Sequence, residues 1–280
     1  MWHLHSHSQL QTGVELSESL SQLLHSDDRE AILAARLRAG RRTIPLGDLF
    51  EVQRESAAEN AVARFTGELA RMHGLGRGWS DGELLIVGNC GDSVGECMTG
   101  GQITVQGSAG DGVGRGMTGG LITIHGSAGD EVGGPVPGES RGMNGGEIYL
   151  DESVGRDCGR LMRRGLIAVG KTAGPGVGRE MLAGTIIIGQ GAESELATGL
   201  VRGTVIVLNS EAQIPAHFRW STNYEPVAIR MLFQYAPVRS FLERVQTTAA
   251  IRFDRYMGDL TTGMRGEILV ASSADHLMAK

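Results

Sequence analysis

The sequence predicts a mainly β protein, a right-handed parallel β-helix of about seven 19-residue coils with helical N- and C-terminal flanks. The first observation is a repeat with steps of 19, 19, 26, 19, 19 and 19 residues, whose units begin at Trp79, Met98, Met117, Met143, Met162, Met181 and Leu200. The second is a pair of apolar residues two positions apart in each unit, as on one face of a strand. The third is a glycine at the fourth position of every unit.

The repeat glycines favour stacked strands over stacked helices. They are Gly82, Gly101, Gly120, Gly146, Gly165, Gly184 and Gly203. With glycine at about four places per unit, a helix would lose roughly 1 kcal/mol for each one. In coils stacked about 4.8 Å apart, glycine would instead occupy corners with positive φ. We interpret these seven residues as structural, because a nucleotide-binding glycine motif would occur once, between a strand and a helix.

The repeat divides the chain into three parts. Residues 1–57 form an N-terminal helical and extended flank, residues 58–208 the β-helix, and residues 209–280 a C-terminal capping and interaction segment. Phe65 and Gly67 stand in positions like those of the repeat, so the β-helix begins with a degenerate coil. The flanks would cover the ends of the rod, where unpaired strand edges invite aggregation.

Both flanks contain helix patterns. Apolar spacing predicts a helix over Ser17–Arg38, with a break and a second cap at Asp27–Asp28. A second pattern predicts a helix over Ile229–Val245, interrupted at Pro237. A short basic run is either a solvated helix end or a contact with an acidic partner, and consists of Arg36, Arg38, Arg41 and Arg42.

Two elements are candidates for a partner interface. The third repeat unit has seven extra residues, among them Pro135 and Pro137. An insertion in a solenoid projects from the core as a surface loop. This loop is either a partner-binding element or an ordinary surface loop. The tail supplies Arg255, Tyr256 and Asp259, which serve either as a cap of the rod or as an interface with another protein chain.

The sequence predicts no catalytic, cofactor-binding or metal-binding residues in this chain. The three cysteines include no CxxC pair, and two of them, Cys90 and Cys158, occupy repeat positions otherwise filled by Ala and Val. We interpret the alternating tract of His3, His5 and His7 as a disordered terminus rather than a metal site.

Carboxylates that recur at one repeat position have either a structural role or a binding role. Asp92, Asp111 and Asp130 fall at one repeat position. Stacked carboxylates about 5 Å apart either serve the turns or bind a cation, and we favour the turns. His125 has no partner that its spacing identifies, so the sequence supports no general acid or base.

Composition excludes several partners. The chain has 280 residues, 41% of them hydrophobic, and a formal net charge of −6, which argues against general nucleic-acid binding. No run of eighteen apolar residues and no signal-peptide core are present, so we expect a cytoplasmic protein without a membrane segment.

The repeat and its flanks together resemble a known family, the GXGXG repeat domain. This domain forms the third of the lettered subunits of formylmethanofuran dehydrogenase, which we call the GXGXG subunit, and it also ends the chain of glutamate synthase. The resemblance covers about residues 36 to 270. Besides the repeats it is carried by the segments Ile44–Phe50, Arg255–Leu260 and Arg265–Leu269.

The resemblance implies a β-helix scaffold subunit in an enzyme complex of one-carbon metabolism, with no activity expected for the isolated chain. In one version, the GXGXG subunit belongs to a molybdenum or tungsten formylmethanofuran dehydrogenase with iron-sulfur clusters, all on other subunits. In the other, a formyltransferase/hydrolase complex of methylotrophic bacteria transfers a formyl group between tetrahydromethanopterin and a methanofuran-type carrier and releases formate. The implied partners are amidohydrolase-like, formyltransferase and pterin-protein-like subunits.

Composition favours the formyltransferase/hydrolase version. The chain has 24 arginines and only two lysines, Lys171 and Lys280, whereas hyperthermophile proteins tend to be rich in Lys and Glu. Two other function classes stay open. One is an independent β-helix enzyme, such as a polysaccharide lyase or a hexapeptide-type acyltransferase, and the other is a glutamate synthase-like interaction module.

Overall fold

The computed structural model describes residues 1–7, 12–55, 61–209, 212–258, 263 and 265–272. The strands are β1 (Trp2–Ser6), β2 (Val14–Glu15), β3 (Arg36–Ala39), β4 (Arg42–Pro45), β5 (Phe50–Arg54), β6 (Ala61–Gly67), β7 (Met72–His73), β8 (Glu83–Ile86), β9 (Gln102–Val105), β10 (Leu121–Ile124), β11 (Asn144–Leu150), β12 (Arg164–Val169), β13 (Thr172–Ala173), β14 (Thr185–Ile188), β15 (Gly191–Ala192), β16 (Thr204–Val207), β17 (Arg219–Tyr224), β18 (Phe253–Gly258) and β19 (Gly266–Ala271). The helices are α1 (Glu18–Leu24), α2 (Arg29–Ala34), α3 (Val227–Gln234) and α4 (Ala236–Arg244), and a 3₁₀ turn spans Leu46–Asp48.

One large mixed sheet dominates the molecule. Its 13 strands follow the order β17-β18-β19-β16-β14-β12-β11-β10-β9-β8-β6-β1-β5. The strands from β19 to β1 pair in parallel, whereas β5, β18 and β17 pair antiparallel to their neighbours. The predicted right-handed parallel β-helix is therefore wrong, because the sheet is mixed and includes strands from both flanks.

The reason for this error lies in what a repeat specifies. A typical unit contributes one four-residue strand to the sheet, such as β9 or β10. Much of the unit runs through turns that bond to the preceding unit, as where the Gly114 N–H donates to the Val94 carbonyl at 2.8 Å. The period determines which residues stack. It does not determine how many strands a unit contains or which strands pair beyond the last unit.

The parallel strands pair in the register of the repeat, and this register builds the inner core. Ile122 stands opposite Ile103 on one side and Ile148 on the other, although the second step is 26 residues long. The seven extra residues therefore leave the pairing unchanged. Four rows of buried side chains stack from unit to unit and face this core. The rows are represented by Val113, Met117, Ile122 and Ile124, one residue from each. Burial of each such aliphatic side chain contributes about 1.5–3 kcal/mol.

The N-terminal flank is partly as predicted. The helix expected over Ser17–Arg38 is divided into α1 and α2, and the Asp28 carboxylate accepts from the Ala31 N–H at 2.9 Å as the cap of α2. The second helix ends before the basic run, since β3 and β4 form a hairpin. The basic run is exposed, as its interpretation as a solvated segment requires, but it lies on this hairpin and not at a helix end. Arg38 instead pairs with Glu15 across β2 and β3 at 2.7 Å.

The histidine tract is ordered, so its interpretation as a disordered terminus is also wrong. His3 and His5 lie on β1, which is hydrogen-bonded between β5 and β6. Ring nitrogens of both histidines lie 2.9 Å from the Thr66 Oγ1, and the His3 Nδ1 lies 2.7 Å from the Glu55 Oε1. The strand forms because Trp2 and Leu4 alternate with these polar residues and are buried.

The outer face of the sheet is covered by α3 and α4 over its C-terminal half. The predicted interruption of this helix is confirmed, and it falls at Tyr235, immediately before Pro237 enters the first turn of α4. A second apolar cluster joins the helices to the sheet through Phe233 and Phe241. Within the described residues, none of the helices combines the length and apolar character required to span a bilayer.

Candidate interface surfaces

The outer face of the sheet changes character along its length. Beneath the helices its middle row is buried and apolar, and consists of Tyr149, Ala168, Ile187, Ile206 and Leu269. The same row continues outside the helices as Leu85, Thr104 and Thr123, which are partly exposed. The repeat is thus constant on its inner face and variable on its outer face.

A groove lies on the uncovered part of this face. It measures about 530 Å³ and its lining includes Val62, Asp81, Glu83, Gln102 and Leu121. These residues come from neighbouring parallel strands and from the turn before β8. The lining combines two carboxylates with apolar and amide groups, so it presents a mixed surface rather than a defined set of catalytic groups.

An ion-pair cluster fastens the end of α4 to the sheet. Arg244 donates from Nε to both carboxylate oxygens of Asp151 at 2.8 Å, and the His125 Nδ1 lies 2.7 Å from the same carboxylate. Asp151 is largely buried, with 13% of its side chain exposed. His125, which the sequence left without a partner, is therefore bound to a carboxylate that also anchors the covering helix.

A second polar contact fastens the junction of the two helices. The hydroxyl of Tyr149 donates to one Glu147 oxygen at 2.6 Å, and that of Tyr235 donates to the other at 2.9 Å. Burial and then the bond to Glu147 raise the pKa of Tyr149 well above its ordinary value. The bond to Glu147 likewise raises the pKa of Tyr235.

The predicted carboxylate row serves the turns. The Asp92 Oδ1 accepts from the backbone N–H of Asp111 at 2.9 Å, and the Asp111 Oδ1 accepts from that of Asp130 at 2.8 Å. His73 begins the same row, because its Nδ1 accepts from the Asp92 N–H at 2.9 Å. Across the part of the chain that the structure describes, no group of three or more His, Cys, Asp or Glu side chains is placed to hold a metal ion.

The cysteines divide into two environments. Cys90 and Cys158 are buried, and burial raises the pKa of each thiol to about 12. Cys97 is exposed. Thiols with a raised pKa are poor nucleophiles at neutral pH, so the two buried cysteines act as small core residues.

Five of the seven repeat glycines lie at turns immediately before strands of the sheet, and Gly146 and Gly165 lie near the starts of β11 and β12. All seven have positive φ. At Gly120, with φ of 90°, an added Cβ would lie 2.8 Å from the Gly100 carbonyl oxygen, in the unit before it. Glycine is thus required there both by the backbone conformation and by the close approach of two units.

The predicted interface residues do not form one surface. Pro135 is buried and Pro137 exposed, in the loop between β10 and β11. Arg255 and Tyr256 lie on β18, where Arg255 donates to the Glu267 carboxylate at 2.7 Å and Tyr256 is half-buried. Four strands separate β11 from β18 in the sheet, a span of about 24 Å. Asp259 lies outside the described residues.

Sequence reasoning missed the covered half of the outer face. A signal for it exists, because the position between the two inward apolar residues changes from Thr104 and Thr123 to Ile187 and Ile206. The two threonines at this position are partly exposed to solvent, whereas the two isoleucines lie under the helices.

The chain resembles a solved structure over almost its whole length. It superposes with a TM-score of 0.85 on a chain of the formyltransferase/hydrolase complex (FhcABCD) from Methylorubrum extorquens, whose X-ray crystal structure contains methylofuran. The two sequences are 30% identical, and the match covers 97% of this chain and all of the other. The chain belongs to this family of complex subunits.

No protein-family model and no curated protein matches the chain. The family assignment therefore rests on the similarity to the solved structure. The match extends beyond the repeats, because it covers 97% of this chain and all of the other. The surfaces described above are therefore surfaces of a member of this subunit family.

Proposed function

We propose that this chain is the GXGXG subunit of a formyltransferase/hydrolase complex and that it serves the complex as a non-catalytic scaffold. The complex would transfer a formyl group between tetrahydromethanopterin and a methanofuran-type carrier and release formate, in the cytoplasm. The observation that carries the proposal is the full-length similarity to a chain of such a complex. The repeat and its flanking motifs support the identification of this chain with the GXGXG subunit.

The contacts of the polar residues support a structural role. The Asp92 and Asp111 carboxylates accept backbone N–H groups, and Asp151 holds Arg244 and His125 in one cluster. A general base must reach the proton that it removes, and a nucleophile must be presented to its substrate. These groups are instead engaged in holding turns and helices together.

The proposal is tested by assembly and turnover measured on the same samples. The chain is co-expressed with the other subunits, the complex is purified, and formyl transfer and formate release are measured per assembled complex. We expect the isolated chain to be inactive. We expect omission of the chain to reduce assembly and activity together.

A variant in the most enzyme-like cluster separates the scaffold from a catalytic role. His125→Asn removes the imidazole and leaves Asp151 paired with Arg244. We expect turnover per assembled complex to stay within about twofold of wild type, since a general acid or base contributes about 10²–10⁴-fold. Loss of turnover in a normally assembled complex would refute the non-catalytic role. Molybdenum or tungsten in the preparation would indicate the dehydrogenase version.

A further inference from the structure

Helix α3 and the residue that follows it carry a row of exposed apolar side chains, which we call the α3 ridge: Val227, Met231 and Tyr235. Val227 and Met231 are each 67% exposed and Tyr235 is 46% exposed. Residues four apart lie on the same face of a helix. The opposite face of α3 is buried on the sheet through Ile229 and Phe233, so this helix is apolar on two sides.

Such a ridge is unusual on a protein surface. Single exposed hydrophobic residues are ordinary, and a surface helix usually presents polar residues on the side away from the core. Among the described residues only five large hydrophobic side chains are well exposed, and three of them form this ridge. Grouped apolar exposure of this kind is typical of a contact surface.

The charges beside the ridge restrict what can cover it. Arg230 follows Val227 by three residues on α3, and within the described part of the chain its side chain forms no ion pair or hydrogen bond. Arg239 lies one turn beyond Tyr235 and is exposed, with only a 3.9 Å contact to Glu243. Residues 212–258 contain six arginines and three carboxylates, whereas the whole chain has a net charge of −6. The ridge is therefore a basic area on an acidic protein.

We propose that the α3 ridge is the docking surface for another subunit of the complex, one that presents an apolar groove bordered by aspartate and glutamate. This inference rests on the proposed function, because it requires the chain to assemble with other subunits. Apolar contact would provide the affinity, and Arg230 and Arg239 would provide orientation and rate of association. A second copy of this chain and an anionic membrane are the alternative occupants, and the crosslinking and flotation experiments below distinguish them from a partner subunit.

The position of the ridge suits a docking element. Tyr235 is held by its bond to Glu147, and α4 is held by Arg244 on Asp151. The ridge is thus attached at its end to the sheet by two polar contacts and beneath by buried aromatic residues. A surface that is rigid before binding loses less conformational entropy on association.

Two variants test the proposal in the co-expressed complex. Met231→Glu places a charge at the centre of the ridge, and Arg230→Glu reverses the charge beside it. Both positions are exposed, so we expect the thermal unfolding of the chain itself to be nearly unchanged. We expect at least tenfold weaker binding of the partner subunit, measured as the concentration at which the purified complex dissociates.

The matched control is Gln106→Glu, which adds the same charge as Met231→Glu at an exposed position immediately after β9, outside the groove lining. It should leave the dissociation concentration at the wild-type value. Equal dissociation of all three variants and wild type would overturn the docking proposal. Failure of the wild-type chain to bind any subunit would overturn the proposed function instead, so the two failures are distinguishable.

A photo-crosslinker identifies the occupant directly. With p-benzoylphenylalanine in place of Met231, we expect irradiation of the complex to link this chain to another subunit, at a peptide adjacent to aspartate or glutamate. A crosslink to a second copy of this chain would overturn the proposal in favour of self-association. Flotation of the wild-type complex, but not the Met231→Glu complex, with phosphatidylserine vesicles would overturn it in favour of a membrane contact.

Discussion

The two halves of the outer sheet face have the same backbone and opposite surroundings. Strands β8 to β10 and strands β12, β14 and β16 follow the same register and bury the same inward aliphatic rows. Their outward side chains differ, with Thr104 and Thr123 in one half and Ile187 and Ile206 in the other. Helices α3 and α4 cover only the second half.

This contrast separates two kinds of information in the repeat. The inward positions and the glycines set the stacking of the units, and they do not depend on what lies outside. The outward positions record whether another element packs on that unit. Substitution of an inward-facing residue should therefore change the free energy of unfolding equally in both halves. Substitution of an outward-facing residue should change it by different amounts.

The largest difference is expected for the side chains that join the helices to the sheet. Phe241 is 1% exposed and packs on Tyr149 with ring centroids 5.4 Å apart. We expect Phe241→Ala to reduce the free energy of unfolding by about 3–5 kcal/mol. Leu85→Ala, in the uncovered half, should cost less than about 1 kcal/mol. Urea unfolding measures both, and equal losses would contradict the distinction between the halves.

The glycines should show no difference between the halves. Gly120 and Gly203 have φ of 90° and 101°, and an added Cβ would lie 2.8 Å and 2.6 Å from a carbonyl oxygen of the preceding unit. We expect Gly120→Ala and Gly203→Ala each to cost about 2–4 kcal/mol, through the backbone conformation and overpacking. Denaturant midpoints provide the comparison. A large effect at only one position would mean that the outer cover also controls the turns.

An exchange of outward-facing residues tests the difference between the two halves with smaller expected changes in stability. Ile187→Thr places a hydroxyl in an apolar cluster where it would lack a partner, and we expect a loss of about 1–3 kcal/mol. Thr104→Ile, on the exposed half, should change stability by less than about 0.5 kcal/mol. Thermal unfolding of the two variants provides the readout. The idea fails if Thr104→Ile is as destabilising as Ile187→Thr.

The smallest effect is a pH dependence that belongs to the covered half. The pKa of Tyr149 is raised in the folded protein, first by burial and then by its bond to Glu147. Its contribution to stability is therefore fully present below the ordinary pKa of about 10 and declines as pH rises above it. Tyr149→Phe should cost about 1 kcal/mol near pH 8 and progressively less above pH 10.

The alkaline comparison has a control within the same contact. Tyr235 also donates to Glu147 but is much more exposed. Tyr235→Phe should therefore change the alkaline pH dependence less than Tyr149→Phe does. A difference between wild type and Tyr149→Phe that stays constant from pH 8 to pH 11 would contradict the assignment.

The sequence was sufficient to predict the stacking but not the sheet. Ile103, Ile122 and Ile148 pair as their shared repeat position indicates. The mixed topology arises from β1, β5, β17 and β18, which belong to non-repeating segments where no period relates one strand to another. Strand partners far apart in sequence are set by tertiary packing, which local patterns do not encode. The division of the chain at residues 57 and 208 stays a prediction.

The candidate surfaces were less predictable than the fold. The loop with Pro137 could be located from the broken period, and the exposed α3 ridge could not be recognised from its helix pattern alone. A helical pattern of Val227, Ile229, Met231 and Phe233 does not say which residues face the sheet. That choice depends on the position of the helix on the outer face, which the structure supplies.

The order of elements along the chain has a consequence for biosynthesis. Ile187 and Ile206 are translated before α3 and α4, and Arg244 follows Ile187 by roughly 60 residues. At 5–20 residues per second, an apolar outer face would wait on the order of 3–12 s for its cover. During that interval the covered half, rather than the threonine-bearing half, is the part of the nascent chain that would bind a chaperone.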